Sequence, residues 1–241
     1  MSRRLVVLAA TALCVAGCMP VGRDFARPAP TTFKPGVSSI GDVKKALGEP
    51  RTELAWSRSD GVFRERSAST PLPTPFDGAR VNGTVKRLYY YYSWRAGQGV
   101  RSGVEPARSL YVWFWNDKLV AFTATSSFKD DTTSFDDTKV AAIKPWHSLR
   151  ADVVAAFGPP SGVAVYPAAP AEDHEVLIYS DFEWDTSKGQ YGSKSLFVLV
   201  NALGLVEDVR FSGATNLIPA PAPGTSSTPI QIYTPPRTRN K

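Results

Sequence analysis

The feature that most constrains the fold is an internal repeat in the body of the chain. Residues 34–50 align without gaps on residues 144–160, and eight of the seventeen aligned positions are identical. The identical positions are the Lys-Pro start, one serine, an Asp-Val pair, one alanine, one glycine and the last proline. A chain that carries one unit twice is expected to build the same local structure twice.

Each copy of the repeat predicts a short amphipathic helix with a defined start and end. Asp42 and Asp152 stand in the first turn, where negative charge is favourable to the helix dipole. Ser38 or Ser39 in the first copy, and Ser148 in the second, can accept hydrogen bonds from the free N–H groups of the helix start. Ser39-x-x-Asp42 is similar to a capping box. The apolar stripes are Val43, Ala46 and Leu47, and Val153, Ala156 and Phe157. The residues that end each helix are Gly48, Pro50, Gly158 and Pro160.

Aromatic and β-branched runs of strand length follow each helix. Residues 88–94 and 109–115 match residues 178–184 and 195–201, and each pair continues, after a turn, into one further short apolar run. The sequence therefore predicts an α+β fold of two tandem modules. Each module would pack its short helices on a three-strand or four-strand antiparallel sheet.

The predicted modules cover residues 33–130 and residues 141–214. The first contains an insertion at residues 57–83, in which Asn82-Gly83 predicts a hairpin turn. Residues 18–32 are expected to be a tether, and residues 215–241 a disordered, proline-rich tail.

The start of the chain predicts a signal peptide at residues 1–17. Two arginines precede an apolar run, which ends in Val15-Ala16-Gly17-Cys18. The stretch resembles a bacterial lipoprotein signal, which implies that Cys18 becomes the palmitate-bearing first residue of the mature chain. An ordinary secretory signal with an incidental cysteine is the alternative. Residues 18–28 are similar to the start of outer-membrane efflux-channel lipoproteins. That similarity implies the periplasmic side of the bacterial outer membrane as the location.

Composition and motifs argue against catalysis. The formal net charge is +6, and removal of Arg3 and Arg4 with the signal leaves +4, which is too modest to indicate nucleic-acid binding. His147 and His174 lack the neighbours of a nucleophilic or metal site, and no phosphate-binding loop is present. The aspartates of residues 129–138 do not follow the spacing of an EF-hand. We therefore expect no enzyme activity, cofactor, metal or small-molecule substrate.

The aromatic strands are the strongest indication of a binding site. Side chains alternate between the two faces of a strand, so Leu110, Val112 and Phe114 can pack under the helix while the residues between them point the other way. The residues predicted to bind a protein partner are Tyr111, Trp113, Trp115, Tyr90 and Tyr92. The alternative is that the second module or the insertion covers this face.

The repeated Asp-Val and Leu-Gly-x-Pro pattern, followed by strands, resembles the SmpA/OmlA family of BamE-like outer-membrane lipoproteins. Two departures are Trp146, aligned with Gly36, and Leu149, aligned with Ser39. The tandem arrangement is also similar to β-lactamase-inhibitor proteins. These resemblances imply a lipid-anchored adaptor that binds an envelope protein in outer-membrane assembly or envelope maintenance. The alternatives are a structural protein that links membrane to cell wall and an inhibitor of a periplasmic enzyme such as β-lactamase.

Overall fold

The computed structural model describes residues 20–29, 31–63, 74–94, 97 and 99–217. The predicted signal peptide and Cys18 lie outside the described residues, as do residues 64–73 of the predicted insertion and residues 218–241 of the predicted tail. Within the described part of the chain, none of the helices combines the length and the apolar character that crossing a bilayer requires.

Nine strands and two α-helices account for most of the described chain. The strands are β1 (Val21–Gly22), β2 (Thr52–Val62), β3 (Arg80–Ser93), β4 (Ala107–Trp115), β5 (Lys118–Ser126), β6 (Gly162–Val165), β7 (Glu175–Asp185), β8 (Gln190–Val200) and β9 (Val206–Leu217). The helices are α1 (Ile40–Leu47) and α2 (Arg150–Phe157), and a short 3-10 helix covers Asp137–Ala142.

All nine strands belong to one antiparallel sheet. From β3 to β9 neighbouring strands follow chain order, and β1 and β2 both pair with the outer edge of β3. The prediction of an α+β fold with two separate modules is therefore wrong, because the fold is β-rich and both halves share a continuous sheet. The two α-helices have eight residues each and are minor elements beside the strands.

The two halves are joined by the short strand β6, which the sequence analysis did not predict. Ala121, Phe122 and Thr123 of β5 pair with β6, and β6 pairs in turn with β7. A Cβ atom at Gly162 would lie 2.2 Å from the carbonyl oxygen of Phe122, so only glycine permits this approach. An unpaired edge of β5 would leave backbone groups without partners, and β6 pairs with three residues of that edge.

The predicted hairpin at Asn82-Gly83 is also wrong. Both residues lie inside β3, where Gly83 is opposite Arg58 of β2. The described ends of the predicted insertion thus lengthen β2 and β3. Gly83 is required there by close packing, because a Cβ atom would lie 2.5 Å from Nε1 of Trp115.

The aligned segments adopt the same local structure, as their sequences predict. The backbone N–H of Gly36 donates to the carbonyl of Leu119, and that of Trp146 donates to the carbonyl of Val206. The helices end at glycines with positive φ, whose carbonyls accept hydrogen bonds from tyrosine hydroxyls. The two bonds are Tyr90 to Gly48, at 3.1 Å, and Tyr179 to Gly158, at 3.0 Å.

Both helices pack on the same face of the sheet, each over its own core. Val43 of α1 is fully buried, together with Leu110, Val112 and Phe114 of β4. Val153 of α2 is fully buried beside side chains of β7, β8 and β9. A third core lies on the opposite face, centred on Trp113. We call these two sides of the sheet the helix face and the open face.

Candidate functional site

The five residues predicted to bind a partner lie on different faces of the sheet. Tyr90 and Tyr92 are on the helix face and are buried at 4% and 7% exposure, and burial raises the pKa of Tyr90 to about 12. Tyr111, Trp113 and Trp115 are on the open face, as the alternation of β4 predicts. The predicted set of five therefore does not form one surface.

Strand register places Tyr90 and Tyr92 on the helix face. Tyr90 is opposite Leu110, and Tyr89 is opposite Tyr111. Residues that pair across an antiparallel ladder share a face. Tyr89 and Tyr91, rather than Tyr90 and Tyr92, therefore accompany Tyr111. The run of four tyrosines contains no signal that distinguishes the two alternatives until its partner strand is aligned.

The centre of the open face is covered by other parts of the chain. Trp113 is fully buried, and its core contains Phe63 and Phe76 from the ends of the predicted insertion. Ala168 and Ala169, from the loop after β6, are buried in the same core. Trp113 is thus an internal packing residue, and the alternative of intramolecular cover applies to this part of the face.

An aromatic cleft lies at one end of the open face, beyond this cover. Its volume is about 490 Å³. The side chains of Tyr89, Tyr91 and Tyr111 line one side, and those of Phe182 and Trp184 line the other. The remaining lining residues, which come from β4, β5 and neighbouring loops, are Glu105, Ala107, Arg108, Ser109, Thr125 and Ser127.

Because β6 is short, β5 and β7 lie on either side of the cleft with no described strand between them. β6 begins at Gly162, and beyond it no described strand separates β5 from β7. Ser161 bridges the two strands there, since its carbonyl accepts from the N–H of Ala124 and its hydroxyl donates to the carbonyl of Ile178. The loop before β4 joins the end of β7 through a hydrogen bond from the N–H of Glu105 to the carbonyl of Trp184.

Ring contacts hold the aromatic side chains of the cleft in place. Tyr89 stacks on Tyr111 with 4.5 Å between ring centroids. On the other side, Tyr191 of β8 stacks with Phe182 at 5.9 Å and with Trp184 at 6.5 Å. The aromatic side chains therefore form two stacked groups on the open face, one on β3 and β4 and the other on β7 and β8, with the cleft between them.

The aromatic walls of the cleft carry no charge, whereas Glu105 and Arg108 also contribute to its lining. Burial raises the pKa of Tyr89, and the neighbouring hydroxyls of Tyr111 and Tyr91 raise it further, so Tyr89 stays a neutral phenol. The hydroxyls of Ser109 and Thr125 on the floor are 2.7 Å apart and hydrogen-bond to each other. Such a surface suits a largely apolar ligand with a small number of polar groups.

The histidines take part in surface contacts. His174 lies 2.7 Å from Asp173 and 3.0 Å from Glu207. Burial lowers the pKa of His174, but the hydrogen bonds to Glu207 and Asp173 outweigh burial and leave it above its ordinary value. The ring Nδ1 of His147 lies 3.0 Å from the carbonyl oxygen of Pro145, and the backbone N–H of His147 donates to the carbonyl of Lys144. Among the described residues, no three His, Cys, Asp or Glu side chains are placed to hold a metal ion.

A scan against protein-family models, a search of curated proteins and a search of solved structures each found no match to this chain. The resemblance to the SmpA/OmlA family thus rests on the motifs of the repeat alone.

Proposed function

We propose that this protein is a lipid-anchored adaptor on the periplasmic side of a bacterial outer membrane. It binds an envelope protein through the aromatic cleft, in outer-membrane assembly or envelope maintenance. The anchor would be the lipid on Cys18, and the binding surface would be the aromatic side chains on the two sides of the cleft, from Tyr89 to Trp184.

The observation that carries the proposal is the accessible aromatic lining of the cleft. Phe182 is 43% exposed, and Tyr89, Tyr111 and Trp184 are half-buried at the rim. Aromatic side chains that remain accessible on a folded protein mark interaction sites, and Tyr and Trp dominate binding hot spots. The centre of the open face, by contrast, is covered by Phe63, Phe76 and the loop after β6.

The test is a pair of variants expressed as the full chain in its own membrane. The double variant Phe182→Ala and Trp184→Ala removes one side of the cleft. Truncating hot-spot residues costs about 2 kcal/mol or more of binding free energy, so recovery of the cross-linked partner should fall about 30-fold. Phe211→Ala is the matched control, because Phe211 has the same 43% exposure but lies in a groove on the helix face.

Partner recovery that is equal in the double variant and the control contradicts the proposed binding site. Thermal unfolding of both proteins separates loss of binding from loss of fold. The anchor is tested separately by metabolic labelling with palmitate. A wild-type chain that takes up no label contradicts the lipid anchor, whereas a label lost in Cys18→Ala supports it.

A further inference from the structure

The chain joins the sheet only three residues after Cys18. Pro20 is the first residue that the structure describes, and Val21 already pairs with Ser93 of β3. Consecutive Cα atoms are about 3.8 Å apart across a trans peptide bond, so the Cα of Cys18 lies within about 11 Å of that of Val21. A lipid on Cys18 would therefore hold this end of the sheet close to the bilayer.

The residues that follow β1 are also fixed to the fold. Phe25 is buried in the core of the helix face, where its ring contacts that of Tyr90 with 6.1 Å between centroids. Asp24 forms an ion pair with Arg108 of β4 at 2.7 Å. Because β1 and these contacts hold the chain from Val21 onward, only two residues separate Cys18 from the fixed part.

The end of the sheet that receives β1 also holds the aromatic cleft. Tyr91, on one side of the cleft, lies two residues before Ser93, the partner of Val21. Trp184, on the other side, is the last residue but one of β7. The opposite end of the sheet, where the N–H of Trp146 donates to the start of β9, is about 40 Å away, since β9 has twelve residues.

An exposed tryptophan follows β3 at this same end. Trp94 is 40% exposed, and Val21, which pairs with the residue before it, is 49% exposed. Trp94 borders a hollow of about 600 Å³, whose exposed charged residues include Lys129 and Asp130, of opposite sign. Tryptophan is enriched at membrane–water interfaces, because its ring is apolar and its indole N–H is polar. Side chains of both signs complement the phosphate and the amine of a zwitterionic phospholipid headgroup.

We propose that this end of the sheet lies on the phospholipid headgroups of the bilayer, with Trp94 inserted among them. The inference rests on the proposed function, since the lipid on Cys18 brings this end to the membrane. The Cα of Tyr91 lies within about 23 Å of that of Cys18, so the cleft opens close to the bilayer surface. The partner must therefore present a segment at that surface, as an integral or lipid-anchored protein of the same membrane can.

Quenching of tryptophan fluorescence by brominated phospholipids tests the proposal. The full, lipid-modified chain is reconstituted in phosphatidylcholine vesicles whose acyl chains carry bromine near the headgroups, or carry none. We expect bromine to reduce the emission of the wild-type chain, and Trp94→Phe to remove most of that reduction, because bromine quenches only at close range. Trp146→Phe is the matched control. Trp146 is more exposed, at 61%, but lies at the opposite end of the sheet, so this variant should lose as much emission as wild type.

Wild-type emission that bromine leaves unchanged would overturn the proposal, as would a reduction that persists in Trp94→Phe or disappears in Trp146→Phe. The failure of this inference is distinguishable from that of the proposed function. A chain that takes up no palmitate contradicts the anchor itself. A palmitate-bearing chain whose Trp94 is not quenched contradicts only the membrane contact, and it leaves the loss of partner recovery in the Phe182→Ala and Trp184→Ala variant unaffected.

Discussion

The two helix starts share a backbone but differ in the side chains that stabilise it. In the first, Ser39 accepts a hydrogen bond from the N–H of Asp42 at 3.2 Å, and Asp42 accepts one from the N–H of Ser39 at 2.8 Å. In the second, Asp152 accepts from the N–H of Leu149 at 2.8 Å, but the leucine side chain has no oxygen, so the N–H of Asp152 donates to the backbone carbonyl of Leu149 at 3.0 Å instead. Half of the capping box is therefore missing.

The same contrast appears three residues earlier. Gly36 has φ of 78°, a conformation that glycine adopts without steric cost. Trp146 has φ of 65° at the aligned position and is 61% exposed. A bulky residue in this region is strained, and nothing in the described fold explains it. The comparison teaches that hydrogen bonds and packing determine this backbone, and that optimal local residues are not needed at every position.

The largest effect is expected from truncating the buried valine in each copy of the repeat. This pair of changes tests whether the two helices are packed equally. Val43 and Val153 are both fully buried at equivalent positions under their helices. Val43→Ala and Val153→Ala should each lower the free energy of unfolding by about 2–3 kcal/mol, from lost burial and the cavity left behind. Chemical denaturation of each variant measures this. A difference between them greater than about 1 kcal/mol would show that the two cores are not equivalent.

A smaller effect should follow from making the second helix start resemble the first. Leu149→Ser restores the missing cap, and Trp146→Gly relieves the positive φ. Together they should raise the free energy of unfolding by about 1 kcal/mol, most of it from the cap, because glycine also gains entropy in the unfolded chain. Thermal and urea unfolding measure the gain. Ser39→Ala, which removes the cap of the first helix, serves as the control and should lower the free energy of unfolding by about 1 kcal/mol.

The smallest effect concerns pH. The N–H and hydroxyl of Ser39 lower the pKa of Asp42 below its ordinary value of 3.8. The stabilisation by its carboxylate is therefore complete above 3.8 and is lost as the pH falls through the lowered pKa. Asp42→Ala should lower the melting temperature at pH 7, and the difference from wild type should shrink in acid. A difference that persists unchanged at about pH 2 would show that charge is not its cause.

Local features of the fold could be predicted from the sequence, and features set by distant partners could not. Asp42 and Ser39 act within one helical turn, so their capping roles were predicted and are confirmed. Ser148 was also expected to cap a helix, but it accepts instead from the N–H of Lys144, as Ser38 does from Lys34. Both bonds close the turn before the helix. The shared serine therefore belongs to that turn.

The candidate site could not be predicted from single strands, because its composition follows from how the strands pair. The alternation of Leu110, Val112 and Phe114 placed β4 correctly, because three apolar residues at period two define a buried face. Tyr89 to Tyr92 have no such contrast, so their face follows only from pairing with β4. Phe182 and Trp184 become part of the cleft only because β6 joins the two halves into one sheet.

The short ladder at β6 also determines how the molecule responds to mechanical load. Only three residue pairs connect β5 to β6, fewer than the nine of the ladder between β3 and β4. Tension applied across the strands would therefore concentrate at this seam, which coincides with the boundary between the repeated halves. The core that contains Trp113 and Ala121 on one side and Ala164 and Ile178 on the other spans the seam, so side-chain packing adds cohesion to the short backbone ladder there.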